Sequence, residues 1–175
     1  GADVIISGAG LPVDMPAYVE GTDTKIAPIV SSEKAARIIL KRWDKRFHRT
    51  ADFLVIEGAH AGGHLGFSRE QLTHLYEPDY DRQYEEEIRN IIACTNEYAV
   101  KYGTSIPVIV AGGIMNGQQT RHMLELGAAG IQVATPFVTT EECDAADAFK
   151  QAYVNARPED IEIVTSPVGM PARAI

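Results

Sequence analysis

Short apolar segments alternate with helix-forming segments along this chain, and this alternation most limits the folds that it can adopt. Each apolar segment is hydrophobic at consecutive positions, which is typical of a strand buried on both faces. Parallel sheets covered by helices have this pattern. Strands are predicted at 4–7, 25–30, 53–57, 107–110 and 131–133, and a short strand-like piece at 161–164.

Helices are predicted in the intervals between these strands. The serines at 31 and 32 are typical of a helix N-cap, and Gly127 is typical of a residue that ends a helix. Apolar residues repeat on one face of the longest interval, which indicates an amphipathic helix. The predicted helices run from the serine cap through Leu40 and over 84–102, 117–126 and 139–155.

Five β-α units are compatible with two architectures. A complete (β/α)8 barrel usually needs about 250 residues, whereas this chain has 175. Barrels also bind phosphate through the loops after their last two strands, and the late loops of this chain have that character. We therefore predict an α/β chain that corresponds to the C-terminal five β-α units of a (β/α)8 TIM barrel. A flavodoxin-like five-stranded sheet is the alternative. No linker interrupts residues 1–175, so we predict a single domain.

Glycines and small residues follow three of the strands, where an anion approaches the backbone most easily. Because glycine lacks a Cβ, the N–H groups beside it can contact a bound anion. The helix predicted at 117–126 adds the positive end of its dipole to one of these loops. The last two loops together predict a phosphate site. The candidate binding residues are Gly62, Gly63, Gly112, Gly113, Gln132, Val133, Ala134 and Thr135.

Two ionisable residues near the first glycine loop are candidates for chemistry. His64 follows a buried strand, and imidazole is the side chain best suited to moving protons near neutral pH. A surface histidine without a role is the alternative. Glu57 ends the same strand, where a half-buried carboxylate needs a ligand hydroxyl, a ring N–H or a backbone N–H as partner. His60 and His64 lie in a glycine-rich segment rather than on one helical face, so no metal site is predicted.

The net charge and composition limit the kinds of partner that this protein is expected to bind. A net charge of −8 argues against nucleic acid or an anionic membrane surface as the main partner. No apolar run approaches the roughly 20 residues that span a bilayer. No signal peptide precedes the first strand, and the missing initial Met indicates that the natural N-terminus lies elsewhere. Cys94 and Cys143 lack metal-ligand spacing, so we expect reduced thiols in a cytoplasmic protein.

Five motifs resemble the nitronate monooxygenase family, formerly called 2-nitropropane dioxygenases. They occur in the family's order over essentially the whole chain, at 6–12, 61–66, 109–114, 127–135 and 166–171. The flavin-dependent enoyl-ACP reductase is a close relative of this family. The resemblance implies an FMN-dependent TIM barrel whose strands four to eight correspond to this chain, which is then a fragment.

The resemblance also implies roles for single residues. His64 would be the catalytic base, and FMN would be held by Gly62, Gly113 and the 132–135 segment, with the last two loops at its phosphate. Glu57 stands where the family often has a Gln that contacts the flavin. The chain departs from the family pattern in having His at position 60, where many members have Glu, and Ala at position 134, where many have Gly. It also lacks strands one to three, which help to hold the flavin.

The reaction implied is the oxidation of alkyl nitronates or nitroalkanes by O2. The alternative on the same scaffold is NAD(P)H-dependent reduction of an enoyl thioester. A third possibility is a non-catalytic flavin-binding remnant, because five of eight strands leave two open sheet edges. A chain with such edges is expected to self-associate.

Overall fold

A computed structural model describes all residues from Gly1 to Ile175. The strands are β1 (Val4–Ser7), β2 (Lys25–Val30), β3 (Leu54–Glu57), β4 (Gly63–His64), β5 (Val108–Ala111), β6 (Gly130–Gln132), β7 (Glu162–Thr165) and β8 (Pro171–Ala174). The helices are α1 (Met15–Tyr18), α2 (Glu33–Phe47), α3 (Arg69–Thr73), α4 (Tyr80–Tyr102), α5 (Gly117–Glu125), α6 (Thr135–Val138) and α7 (Asp147–Asn155), with a 3-10 turn at Pro158–Asp160.

The main sheet is parallel and follows the order β1-β2-β3-β5-β6. Leu54 pairs with Val108, and Val110 pairs with Ile131. Each strand therefore lies beside its predecessor in this series, as in the wall of a (β/α)8 barrel. A flavodoxin-like sheet reverses direction at a switch point, with order 2-1-3-4-5. The prediction of a partial TIM barrel is confirmed, and the flavodoxin-like alternative is wrong.

The core lies between this sheet and the two long helices. Trp43, Ile39 and Leu40 of α2 and Ile88 and Ile91 of α4 are fully buried. The indole Nε1 of Trp43 donates to the Pro12 carbonyl at 2.9 Å, so its polar atom is also satisfied. Burying these faces against the sheet supplies most of the favourable free energy of folding. It also fixes the loops that follow β3 and β5 in relation to each other.

The predicted helix at 139–155 is wrong in its first half. The structure has the short helix α6 before this segment, and α7 begins only at Asp147. The Thr140 hydroxyl donates to the Phe137 carbonyl at 2.9 Å, and its own carbonyl accepts from Lys150 at 3.0 Å. Thr140 therefore bonds back to the end of α6 instead of capping a new helix.

A second, antiparallel sheet has the order β4-β8-β7. The sequence predicts β7 within one residue but neither β4 nor β8. β4 has only two residues, and it exists because Gly63 pairs with Arg173 and His64 with Ala172. Pairing between segments so distant in sequence leaves no local periodicity to detect.

Both ends of the main sheet lack a partner strand. Val4, Ile5 and Ile6 in the outer strand β1 are 46%, 36% and 46% exposed. Strands of a parallel sheet are normally covered on both faces, so this exposure lies where a closed barrel would continue.

No helix of the chain is both long enough and apolar enough to cross a membrane.

Asp52 joins β2 to the turn before β3. Its Oδ2 accepts from the Ile26 backbone N–H at 2.9 Å and from Arg49 at 2.8 Å, and Lys25 lies 3.3 Å from Oδ1. Burial raises the pKa of Asp52, but these donors together outweigh burial and hold the pKa below its ordinary value. The ionised carboxylate therefore stabilises the fold above the unfolded pKa of about 3.9, and this is lost as pH falls through the lower folded pKa.

We expect Asp52→Asn to lower the free energy of unfolding by about 1 kcal/mol near pH 7, because hydrogen bonds to a charged acceptor are lost. The difference from the wild-type chain should be smaller at about pH 3, because the carboxyl group of the unfolded wild-type chain is then already mostly protonated. Urea unfolding at the two pH values measures this. A difference that stays constant with pH would contradict the assignment.

Candidate active site

A cavity of about 570 Å³, the main cavity, opens at the C-terminal ends of β3, β5 and β6. Barrels and open α/β sheets bind their ligands at this end of their strands. The structure brings most of the candidate binding residues into this one cavity, although Gly63 does not line it. The predicted residues in its wall are Glu57, Gly62, Gly112, Gly113, Gln132, Val133, Ala134 and Thr135.

The loop after β5 packs directly against the loop after β3. Gly112 and Gly113 have φ values of +97° and +76°, in the left-handed region. A Cβ at Gly112 would lie 2.9 Å from the Gly58 carbonyl oxygen, and one at Gly113 would lie 2.6 Å from the Cβ of His60. Glycine is therefore required here so that two loops can meet, in addition to any role in anion binding.

The N-terminus of α5 is partly occupied by its own residues. The Asn116 side chain accepts from the Gln119 N–H at 3.0 Å, and the Gln119 side chain accepts from the Met115 N–H at 2.8 Å. These two N–H groups are consequently not free to contact an anion. The partial positive charge at the start of α5 still favours an anion nearby. The Gln119 side chain itself lines the cavity.

His64 lies in an adjoining cleft rather than in the main cavity. This cleft has a volume of about 310 Å³ and is lined by Gly8, Leu11, Met170 and His64 among others. β4 pairing with β8 sets the backbone position of His64, and the exposed ring makes no hydrogen bond within the chain. Glu57 lines both spaces, so it marks the place where the cavity and the cleft meet.

The Glu57 carboxylate has no hydrogen bond or ion pair within the chain. The backbone N–H that the sequence offered as one possible partner is not used. Burial raises the pKa of Glu57 above its ordinary value. Glu57 lines the open cavity and its oxygens are not sealed from solvent, so water can donate to them until a ligand binds. Glu57 is thus free to accept from a donor on a bound molecule.

Aromatic side chains back the loop after β3. The Tyr84 hydroxyl donates to the Ala111 carbonyl at 3.5 Å, and the Tyr80 ring stands edge-on to the His60 ring at 5.6 Å between centroids. Burial, with the nearby charge of Arg173, lowers the pKa of His60. His60 is therefore neutral near pH 7 and supplies no positive charge to the cavity.

Arg173 is a site residue that the sequence reasoning missed. It lies in β8, lines the cavity, and donates from Nη1 to the His60 carbonyl at 2.8 Å. The only sequence signal was its place two residues after the 166–171 motif. Without β8 among the predicted strands, nothing placed a residue from the end of the chain beside His60. Asp81, Met115, Gln119 and Ile161 also line the cavity without having been predicted.

Comparison with known proteins decides the family. A family model described as nitronate monooxygenase matches residues 1–175. The chain belongs to the nitronate monooxygenase family. A curated member of the family, the probable nitronate monooxygenase of Staphylococcus aureus strain Newman, is 28% identical over 155 residues. The match covers 89% of this chain but 36% of that relative, so the chain spans little more than a third of the relative's length.

Solved structures agree with this membership. FabK from Thermotoga maritima is 27% identical with a TM-score of 0.70, and the match covers 97% of this chain and 45% of FabK. A nitroalkane oxidase from Streptomyces ansochromogenes has a TM-score of 0.67 at 24% identity, covering 97% of this chain and 44% of that protein. The second likeness shows the fold alone. Both support a family fold of which this chain represents a part.

Proposed function

We propose that this chain binds FMN in the main cavity and takes part in the flavin-dependent oxidation of alkyl nitronates by O2. The observation that carries the proposal is the meeting of the 112–113 loop, the 132–135 segment and the unpartnered Glu57 carboxylate around one cavity. This arrangement occurs in a chain that matches the nitronate monooxygenase model from end to end.

The residues present fit FMN. A cavity of about 570 Å³ lies within the usual range of cofactor sites, roughly 300–1,000 Å³. A Cβ at Gly62 would meet no atom within 4 Å, so this glycine borders open space that a ligand can fill. Gly113 and Thr135 would hold the phosphate, and Glu57 would accept from a ribityl hydroxyl or a ring N–H. Gln132 and Val133 would line the space between these two ends.

Bound FMN would supply the electron transfer and the reaction with O2. The chain would bind and orient the substrate. In the cleft beside Glu57, a ring nitrogen of His64 would accept the α-proton of a neutral nitroalkane. A nitronate has already lost that proton, so towards this substrate His64 would only position the anion. The separation of His64 from the phosphate loops suits these roles, because the proton would be removed at the end of the flavin opposite its phosphate.

An absorbance spectrum after gel filtration tests the cofactor assignment. We expect flavin bands to co-elute with the chain after incubation with FMN, and ethyl nitronate to be consumed in air at a rate that depends on bound flavin. Anaerobic mixing is the control, since turnover should then stop. A well-folded chain that retains no FMN would overturn the cofactor assignment.

The elution volume in the same experiment also reports self-association, which we propose occurs through the exposed strand β1.

Enoyl-thioester reduction is the second candidate, because the flavin-dependent enoyl-ACP reductase is a close relative of the family whose motifs the sequence resembles. The same cavity would then serve a flavin that NAD(P)H reduces. Bleaching of the bound flavin by NADH or NADPH, coupled to loss of crotonyl thioester, would favour this reaction. Flavin that binds and supports neither reaction would favour a non-catalytic flavin-binding chain.

A further inference from the structure

Arg173 is the one lysine or arginine side chain that lines the main cavity. The other ionisable groups in its wall are the carboxyl groups of Glu57 and Asp81 and the imidazole of His60. His60 is neutral near pH 7, as shown above, and the two carboxyl groups repel anions. An anionic group that enters this cavity therefore meets a single permanent positive charge, the guanidinium of Arg173.

One hydrogen bond holds the Arg173 guanidinium in place. Its Nη1 donates to the His60 carbonyl at 2.8 Å, while Nε is buried and has no partner. A guanidinium carries five N–H donors. The buried Nε does not reach the cavity, so the donors left for a ligand are those on the two Nη atoms. An arginine that is anchored at one end with donors left over is suited to bind a phosphate or a carboxylate.

The position of Arg173 places this charge beside the phosphate loops. The His60 residue that anchors it is also the residue against which Gly113 packs, within 2.6 Å of a Cβ built on that glycine. Arg173 shares with Gly62 and Thr135 the wall of a second space of about 330 Å³ that adjoins the cavity. Its side chain thus lies beside Gly113 and Thr135. The backbone of Arg173 pairs with Gly63, next to His64. Successive side chains of a strand point to opposite faces, and the Arg173 side chain does not line the His64 cleft.

We propose that Arg173 binds the phosphate of the flavin mononucleotide and thereby makes the cavity select FMN over riboflavin. This inference rests on the proposed function, because it assumes that a flavin occupies the cavity. The glycine loops supply neutral N–H donors, whereas the guanidinium carries a full positive charge and can form two parallel hydrogen bonds with one phosphate. Arg173 is accordingly a specificity-determining residue for the cofactor rather than a catalytic one.

Flavin fluorescence quenching measures the dissociation constants of FMN and riboflavin for each variant. In the wild-type chain we expect FMN to bind at least about tenfold more tightly than riboflavin. Arg173→Met should remove most of this preference by weakening FMN, and should leave the riboflavin Kd within about twofold. Arg173→Lys keeps the charge but not the planar fork, so it should restore the preference only in part.

Two further variants separate the effect of the charge from effects on folding and on the neighbouring surface. Arg173→Gln retains a side-chain N–H donor for the His60 carbonyl and removes the charge, so it tests the charge even where Arg173→Met fails to fold. Arg157→Met is the matched control, because Arg157 lines the adjoining space but not the main cavity. It should leave the ratio of the two dissociation constants unchanged.

The possible outcomes separate this inference from the proposed function. Tight binding of both flavins with equal affinity in the wild-type chain would leave the proposed function standing and overturn the role of Arg173. A folded Arg173→Gln variant with an unchanged FMN preference would do the same. Failure of the wild-type chain to bind either flavin would overturn both.

Discussion

Replacing His64 by alanine is expected to lower kcat/KM for neutral nitroalkanes by about 10²- to 10⁴-fold, the usual contribution of a general base. Turnover of preformed nitronates should fall far less, because these substrates need no proton removed. The structural reason is the position of His64 in the cleft that meets the flavin cavity at Glu57. Its ring has no partner within the chain and is therefore available to a substrate.

Steady-state oxygen consumption with nitroethane and with ethyl nitronate compares the two substrates directly. His74→Ala is the matched control, since His74 is an exposed histidine paired with Glu77 at 2.7 Å and lines none of the spaces described. Equal losses with both substrates would show that His64 acts in substrate binding or in folding, and would falsify its assignment as the base.

Gly112→Ala is expected to lower the free energy of unfolding by about 2 to 3 kcal/mol, since a left-handed backbone conformation is costly for alanine. The new methyl group would also lie 2.9 Å from the Gly58 carbonyl oxygen and 3.2 Å from the Ala61 nitrogen. Both contacts are to backbone, which cannot rotate away. Relief requires the loops after β3 and β5 to separate, so FMN affinity should fall together with stability.

Gly117→Ala is the matched control for this change. Gly117 begins α5 after the same loop, and a Cβ there meets no atom within 4 Å. Alanine has the higher helix propensity, so stability should stay unchanged or rise by up to about 1 kcal/mol. Urea unfolding followed by circular dichroism compares the two variants. Similar stabilities for both would contradict the loop contact as described.

Local pattern was enough for much of the fold and for one wall of the site. The strand segments at 4–7 and 25–30 were predicted at their observed bounds, because strands of a parallel sheet are apolar at consecutive positions. The expectation that the 4–7 strand is buried on both faces was wrong, because β1 lies at an open edge of the sheet. The 139–155 segment failed because a threonine followed by acidic residues resembles an N-cap, whereas Thr140 bonds to the turn behind it. Side-chain bonds of this kind depend on where the preceding chain ends.

The positions of the ionisable residues in the site could not be predicted from local sequence pattern. The sequence placed His64 and the phosphate loops in one site, whereas the structure puts His64 in a separate cleft that meets the cavity at Glu57. Arg173 reached the cavity only through the pairing of β8 with β4. Contacts made across more than a hundred residues leave no periodic trace in either partner.

The sequence by itself determined the α/β class, the family and the glycine loops that end the central strands, because these follow from short-range patterns of apolar residues and glycines. The tertiary structure decided the strand order, the antiparallel sheet around β8 and the electrostatics of the cavity. Burial and distance set the pKa values of Glu57 and His60, and both quantities depend on which distant segments pack together. Charge at a site is therefore a property of the folded chain.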